Sequence, residues 1–561
     1  MSTLEIILLV LVAVFIGCSF FYSLARLYAK RLYYKWLQTP CTTPLDVDTF
    51  VNSSVNPPKY LKIAILQRLS VGDRKATNEV IPLSSYPSSH LEGLQVTQRA
   101  QPRPGSTKSF VSNSTRLRIS SDAPTPLVIG TIRMGFGHHR IAYATCSWAI
   151  HADADSKSKE KELTRTTYFH DLLNIDSPEA DIIHSSDAFY SKMSRITSNF
   201  GGTLEKLWGK ATLSGDADAL RISGLTAIHL RPLFKDLPSD TPILATHCYV
   251  ALAAVAAGMT NVVNLVIDNH PQWFVVVPGC LNLVQGPVNY QSFLRMGVPP
   301  ENLQLAGHWI PRDLVVNIPD DCAKRIARAQ VGFVDPAKAT RTKESPKPRR
   351  FLIPVGGAGA QRNFIVQLLR ALAPYVHSGS VQLFLNAGDH RHMHQAFEET
   401  LFEIGFRPGS YDVISTLDGV RTFQTRLLHG EEPHTPITLF AFQEYFPAVA
   451  TTDVISRVTD VLACKPSELA FYPVPKLMIR RVGDHEQYSA LRAAEMGDGT
   501  LEAREIEDAM SFVKCVINRP ELLVSMNECI MKNATVGIYD GCKNAVRLAL
   551  ERMASNRGHL A

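Results

Sequence analysis

In two places far apart in this chain, a short apolar strand runs directly into a glycine-containing loop and then into a helix. The first is Pro126-Leu-Val-Ile-Gly130, followed by Thr131-Ile-Arg-Met-Gly-Phe-Gly-His-His139 and an alanine-rich stretch from Arg140 to Ile150. The second is Arg350-Phe-Leu-Ile-Pro-Val355, followed by Gly356-Gly-Ala-Gly-Ala-Gln361 and an amphipathic helix carrying Phe364, Val366, Leu368, Leu369 and Leu372. A brief, unbroken apolar run fits a strand covered on both faces, as in a parallel sheet with helices on either side. Glycines let backbone N–H groups come close to a ligand, and the following helix aims its N-terminal dipole at the same point. A chain of 561 residues is too long for one core, so each repeat of this pattern is expected to open its own α/β domain.

The N-terminus adds a different constraint. Leu4 to Ala25 is almost entirely apolar, and as a helix it would span roughly 33 Å, enough for a bilayer core of about 30 Å. Arg26, Lys30, Arg31 and Lys35 follow it while only Glu5 precedes, which predicts a retained single-pass anchor with the body on the cytosolic side, in the endoplasmic reticulum or another endomembrane. Residues 26–125 hold fourteen Lys and Arg against six Asp and Glu, a surplus of eight where the whole chain has only +6. This basic tract, rich in Pro, Ser and Thr after Pro82, is expected to be a tether that either meets an anionic membrane surface or is simply solvated. No basic stripe with interleaved aromatics follows it, which argues against nucleic acid. Ten scattered cysteines without a C-x-x-C pair fit a reducing compartment rather than a disulfide framework or zinc ribbon. Two Asp-x-Asp triplets, Asp153/Asp155 and Asp216/Asp218, sit in charged or Ser/Gly-rich surroundings and read as surface, so no metal is expected.

Three further stretches carry chemistry. Asn261–Ile267 reads as a buried strand that ends in Asp268-Asn-His-Pro-Gln-Trp273, and a polar, aromatic loop at a strand's carboxyl end is where open α/β sheets bind ligands. Cys464-Lys-Pro-Ser-Glu-Leu-Ala470 leads through Pro473 and Pro475 to a strand at Leu477–Ile479, and Asp484-His-Glu-Gln487 follows. Ala339–Arg350 is basic and contains proline, as an interdomain linker would be.

Taken together these motifs resemble GT-B glycosyltransferases, in the branch holding monogalactosyldiacylglycerol synthase and the bacterial lipid-linked GlcNAc transferase of peptidoglycan synthesis. The resemblance spans about residues 126–550. It implies two Rossmann-like domains with a cleft between them, an acceptor domain over 126–338 and a UDP-sugar-binding domain over 351–550. The chain departs from the family where Pro473 stands for a Gly and where His138-His139 replaces a single His.

The resemblance implies a role for each matching residue. His138, or else His139, would be the base that takes the acceptor proton. Gly356, Gly357 and Gly359 would cradle the diphosphate with Lys465, Ser467 and Glu468 would hold the ribose, and Glu486 and Gln487 would read the sugar. Gly137, Asp268, His270 and Trp273 would line the acceptor side, although Trp273 serves equally as core. The implied activity is inverting transfer of a hexose from a UDP-sugar, a co-substrate rather than a cofactor, to a membrane lipid hydroxyl of diacylglycerol type. Transfer to a polyprenyl-phosphate-linked sugar, a non-catalytic sugar-nucleotide-binding scaffold and a sugar-nucleotide epimerase are the alternatives.

Overall fold

The computed structural model describes residues 3–52 (except 42 and 44), 78–100, 126–152 (except 134 and 135), 165–184 (except 182), 218–332, 345–356 and 361–558. Two sheets organise it. The first has eight strands in the order β1-β2-β4-β3-β5-β6-β7-β8: β1 Leu83–Pro87, β2 Leu94–Arg99, β3 Leu127–Thr131, β4 Thr167–Asp171, β5 Ile243–Ala245, β6 Val262–Leu265, β7 Leu281–Val284 and β8 Leu303–Leu305. The second has six in the order β11-β12-β10-β9-β13-β14: β9 Arg349–Pro354, β10 Val381–Gly388, β11 Asp412–Ile414, β12 Ile437–Ala441, β13 Val461–Cys464 and β14 Lys476–Met478. Every pairing is parallel except the β1–β2 hairpin.

The two expected strand–loop–helix units begin the two parallel sheets. β3 has all five residues buried and β9 all six, as their unbroken apolar runs demand. In each sheet the chain first builds outward on one side of this strand and then returns to build on the other, so β3/β5 and β9/β13 are the points where strand order reverses. Ligands of open α/β sheets lodge in the crevice at such points. The last helix, Gly541–Gly558, crosses back to the first domain. Its Cys542, Ala545, Val546 and Ala549 share a core with Ala142, Cys146 and Ala149 of the Gly137–Ala149 helix.

Three expected boundaries change. The tract 26–125 is not a free tether at either described end. Leu45, Val47, Phe50 and Val51 are buried in the first domain's core, and Leu83–Arg99 forms the β1–β2 hairpin at the edge of its sheet. The Ser- and Pro-containing run was misleading because an edge hairpin with one solvated face accepts polar residues and a terminal proline. The helix Ile318–Gln330, expected in the first domain, packs instead on the second. Arg325 on it, nearly fully buried, donates to the carbonyls of Ser456, Thr459 and Pro473. The domain junction therefore lies before Ile318, and residues 339–344 of the expected linker fall outside the described residues.

The apolar N-terminus is part of one helix, Thr3–Leu37, along which Leu9, Val10, Leu11, Phe15, Ile16, Phe20 and Phe21 are exposed. Its last residue, Leu37, is buried against the body, and Trp36 meets Phe50 edge-on at 5.3 Å. Among the described residues, no helix is long and apolar enough to cross a membrane.

Candidate functional site

The first crevice is built by the loop after β3 and the residues after β5. His138 lies in the first turn of the Gly137–Ala149 helix, half-buried, with Nδ1 2.8 Å from the carbonyl oxygen of Thr246. A carbonyl only accepts, so Nδ1 carries the proton and the neutral ring keeps its lone pair on Nε2. His247 stands beside it, ring centroids 4.4 Å apart, and caps the Cys248–Ala256 helix by accepting the Tyr249 N–H at Nδ1. Burial pushes the His138 pKa below its ordinary value, against the Thr246 bond and the nearby Asp268 and Glu468 carboxylates, which favour the charged form. Burial, with His138 alongside, pushes His247 well below. Both rings are therefore uncharged at neutral pH.

His139 has a different setting. Its ring is buried against Phe169, Tyr143 and Tyr445, and Nε2 lies 3.1 Å from Asp171. The two adjacent histidines thus differ in setting: His138 faces Thr246 and His247, and His139 is packed in the core.

The second crevice is built by the loops after β9 and β13. Lys465 follows β13, and a Cβ on Gly356 would lie 3.1 Å from its Cε, so the glycine loop and the lysine share one space. Gly357 and Gly359 lie outside the described residues. Beyond them Gln361, buried, takes φ +73°, a left-handed conformation unusual for a residue with a side chain, as it caps the Arg362–His377 helix. Such a conformation costs on the order of 1–3 kcal/mol and persists where the surroundings enforce it. Ser467, half-buried, precedes a short turn over Glu468–Phe471, and Gln487 is exposed at the start of the Gln487–Glu495 helix.

Glu486 needs a correction. Expected to read donor hydroxyls, it is buried and fully engaged. One oxygen pairs with Lys465 and the other accepts the N–H groups of Val482 and Gly483. Burial alone would raise its pKa, but Lys465 leads the contacts that hold it below the usual carboxylate value. Glu486 thus fixes the lysine rather than facing the crevice.

The two crevices meet through the Gly137–Ala149 helix. A Cβ on Gly137 would come within 3.1 Å of Glu468 Oε2, which only glycine permits without displacement. Arg140, one turn on and buried, donates to Asp453 Oδ1 at 2.7 Å and to the Val449 carbonyl at 3.0 Å, with its Nε 3.6 Å from Glu468. Tyr472 donates to the same Asp453 oxygen at 2.6 Å. Ahead of them Phe136 seats between His390 and Tyr445 of the second domain.

The Asp268 loop also spans the cleft. Asn269 donates to the Tyr488 carbonyl, and His270 stacks on Tyr488 at 4.4 Å. Asp268 acts on His138 only through its charge, while its backbone carbonyl accepts from Asn289. Trp273 is half-buried against the first-domain core, the packing role weighed for it.

Sequence reading missed His247, Arg140 and Asp453. The polar pair Thr246-His247 directly after the apolar Ile243-Leu-Ala245 marks a strand's carboxyl end and could have flagged the first. Nothing local marks Asp453, which sits mid-helix in Tyr445–Ser456.

Two family models match the chain, both described as domains of unknown function: DUF6937 over residues 104–295 and DUF6938 over residues 298–550. They meet just before β8, the last strand of the first sheet, and so ahead of the domain junction. No curated protein matches. Among solved structures, UDP-GlcNAc 2-epimerase from Neisseria meningitidis bound to UDP-GlcNAc aligns with 12% identity and a TM-score of 0.40, covering 76% of this chain and 99% of that one. MurG from Acinetobacter baumannii aligns with 11% identity and a TM-score of 0.33, over 76% and 100%. An α,α-trehalose-phosphate synthase (UDP-forming) from Burkholderia vietnamiensis gives 12% and 0.37, over 78% and 99%. Likenesses this remote assign no activity.

Proposed function

We propose that this chain is a GT-B glycosyltransferase that moves a hexose from a UDP-sugar to a hydroxyl of a membrane lipid, with inversion. The observation that carries the reading is His138. Its Nδ1–H is tied to the Thr246 carbonyl, its Nε2 is left as a base, and two carboxylates act on it from opposite domains. In the proposed step Nε2 takes the proton of the acceptor hydroxyl as that oxygen bonds to the anomeric carbon. The bond from that carbon to the UDP oxygen breaks with its electron pair, so UDP leaves on the opposite face. Asp268 and Glu468 stabilise the imidazolium that forms. Lys465, held by Glu486 beside the glycine loop, offsets the diphosphate charge together with the N-terminal amides of the Arg362–His377 helix. Glu468, at the start of its turn, accepts the ribose hydroxyls.

A lipid acceptor is favoured by the exposed apolar face of the Thr3–Leu37 helix, whose buried end ties it directly to the first domain. The deciding experiment supplies detergent-dispersed diacylglycerol and a panel of labelled UDP-sugars to wild type, His138→Ala and Glu468→Ala. Lipid-dependent transfer that His138→Ala abolishes with UDP binding intact supports the reading. UDP binding without transfer to diacylglycerol points to a polyprenyl-phosphate-linked acceptor or a scaffold, and loss of donor without lipid to an epimerase. A wild type that does not bind UDP sinks the donor site.

A further inference from the structure

Glu468, read above as the acceptor of the ribose hydroxyls, is held differently from the other acidic groups at the domain boundary. Glu486 is fixed within its own domain, by Lys465 and by the Val482 N–H at 2.8 Å. Asp453 likewise accepts from Tyr472 of its own domain at 2.6 Å. Glu468 accepts no hydrogen bond from any described residue, and among them its one ion pair is with Arg140, across the boundary.

The first domain meets this carboxylate from two sides. Arg140 Nε lies 3.6 Å from Oε1, is buried, and has no hydrogen-bond partner among the described residues, so its N–H is left for Glu468. The other end of the guanidinium is anchored, with Nη1 donating to Asp453 Oδ1 at 2.7 Å and to the Val449 carbonyl at 3.0 Å. A guanidinium is a planar, rigid fork, so an anchor at one nitrogen restrains the others. On the second side, a Cβ on Gly137 would lie 3.1 Å from Oε2 and 3.4 Å from Cδ, which packs the helix backbone itself against the carboxylate. Gly137 and Arg140 are three residues apart and share one helix face. A long side chain loses rotamer freedom when it takes hold of a ligand, and partners that order it beforehand reduce that cost.

We propose that Arg140 is a positioning residue for the donor: from the first domain, with Gly137 beside it, it orders Glu468 of the second domain for the ribose hydroxyls. This rests on Glu468 being the ribose ligand, and its consequence is that donor affinity is set by both domains. The test is a double-mutant cycle in UDP affinity, read by calorimetry on the full chain in detergent as wild type, Arg140→Lys, Glu468→Gln and the two combined. Lysine keeps a cation beside Asp453 and loses the second N–H that faces Glu468. Arg140→Lys is expected to weaken UDP binding by about tenfold, Glu468→Gln by at least as much, and the combination by no more than Glu468→Gln alone. A loss caused by general disturbance of the fold would instead multiply with that of Glu468→Gln. Should Arg140→Lys not fold, Gly137→Ala serves the same cycle, because its methyl displaces Glu468 while a helix accepts alanine readily. Unchanged UDP affinity in Arg140→Lys overturns the proposal, and so do losses that multiply. A wild type that does not bind UDP, or a Glu468→Gln that binds it as wild type does, removes the ribose ligand itself and the positioning role with it.

Discussion

The crevice of the first domain and the crevice of the second solve the same placement problem with opposite electrostatics. After β3 and β5 stand two histidines, His138 and His247, kept uncharged by burial and oriented by backbone groups. After β9 and β13 stand fixed charges in pairs, Lys465 with Glu486 and, reaching across the boundary, Arg140 with Asp453. A group that must gain and lose a proton near neutral pH needs a weak, tunable environment. A group that must hold a permanently charged ligand needs rigid partners. The comparison teaches that the same strand–loop–helix unit can present neutral, tunable rings in the first half and fixed charge pairs in the second.

The largest effect should come from His138→Ala, which is expected to lower transfer by about 10²–10⁴-fold with little change in UDP affinity or in the urea unfolding midpoint. A parallel loss of UDP binding would erase the division of labour. Next, Arg140→Ala takes the buried cation away from Asp453, which is only partly buried; burial already raises this carboxyl's pKa and Arg140 opposes it. Breaking a fully buried pair on one side costs about 3–5 kcal/mol; with Asp453 partly exposed and still held by Tyr472, a loss of about 1–3 kcal/mol is expected in chemical denaturation. A loss below about 1 kcal/mol would mean that the helix does not clamp the halves.

Acid should act through the first half. His170, fully buried, has its pKa pushed down by burial to about 4, against an ordinary value of 6.5. Between these values the unfolded chain binds the proton and the folded chain does not. Stability present above pH 6.5 is therefore lost as pH falls toward 4, by about 3 kcal/mol in full. His170→Gln should flatten that dependence in denaturation curves taken from pH 7 to pH 4, and an unchanged slope would move the acid sensitivity elsewhere. The smallest change concerns Lys465→Met, expected to weaken UDP binding by about 10–100-fold in calorimetry while Glu486→Gln weakens it less. Equal affinities in Lys465→Met and wild type would remove the lysine from the donor site.

Much of the fold was legible because its signals are local. Pro126–Gly130 and Phe351–Val355 are apolar throughout, a run that suits a strand buried on both faces, so each marked a parallel sheet and the glycine loop after it. The β1–β2 hairpin was not legible. Ser84, Ser85 and Pro87 have the composition of a linker, and only pairing with Leu94–Arg99 makes an edge strand of them. Nor did composition show that Ile318–Gln330 belongs to the second domain, because its amphipathic pattern names a buried face without naming what covers it.

The sequence by itself determined that there would be two α/β units, where their glycine loops lie, and that an apolar N-terminal helix precedes them, since periodicity and glycine placement act over a few residues. Only the tertiary structure gave His138 and His139 different surroundings, for adjacent residues on one helix differ in direction and not in kind. It likewise decided that Glu486 pairs with Lys465 and the Val482 N–H, and that Arg140 meets Asp453. The two ion pairs join residues far apart in the chain, and their cost and benefit exist only once water has been excluded around them.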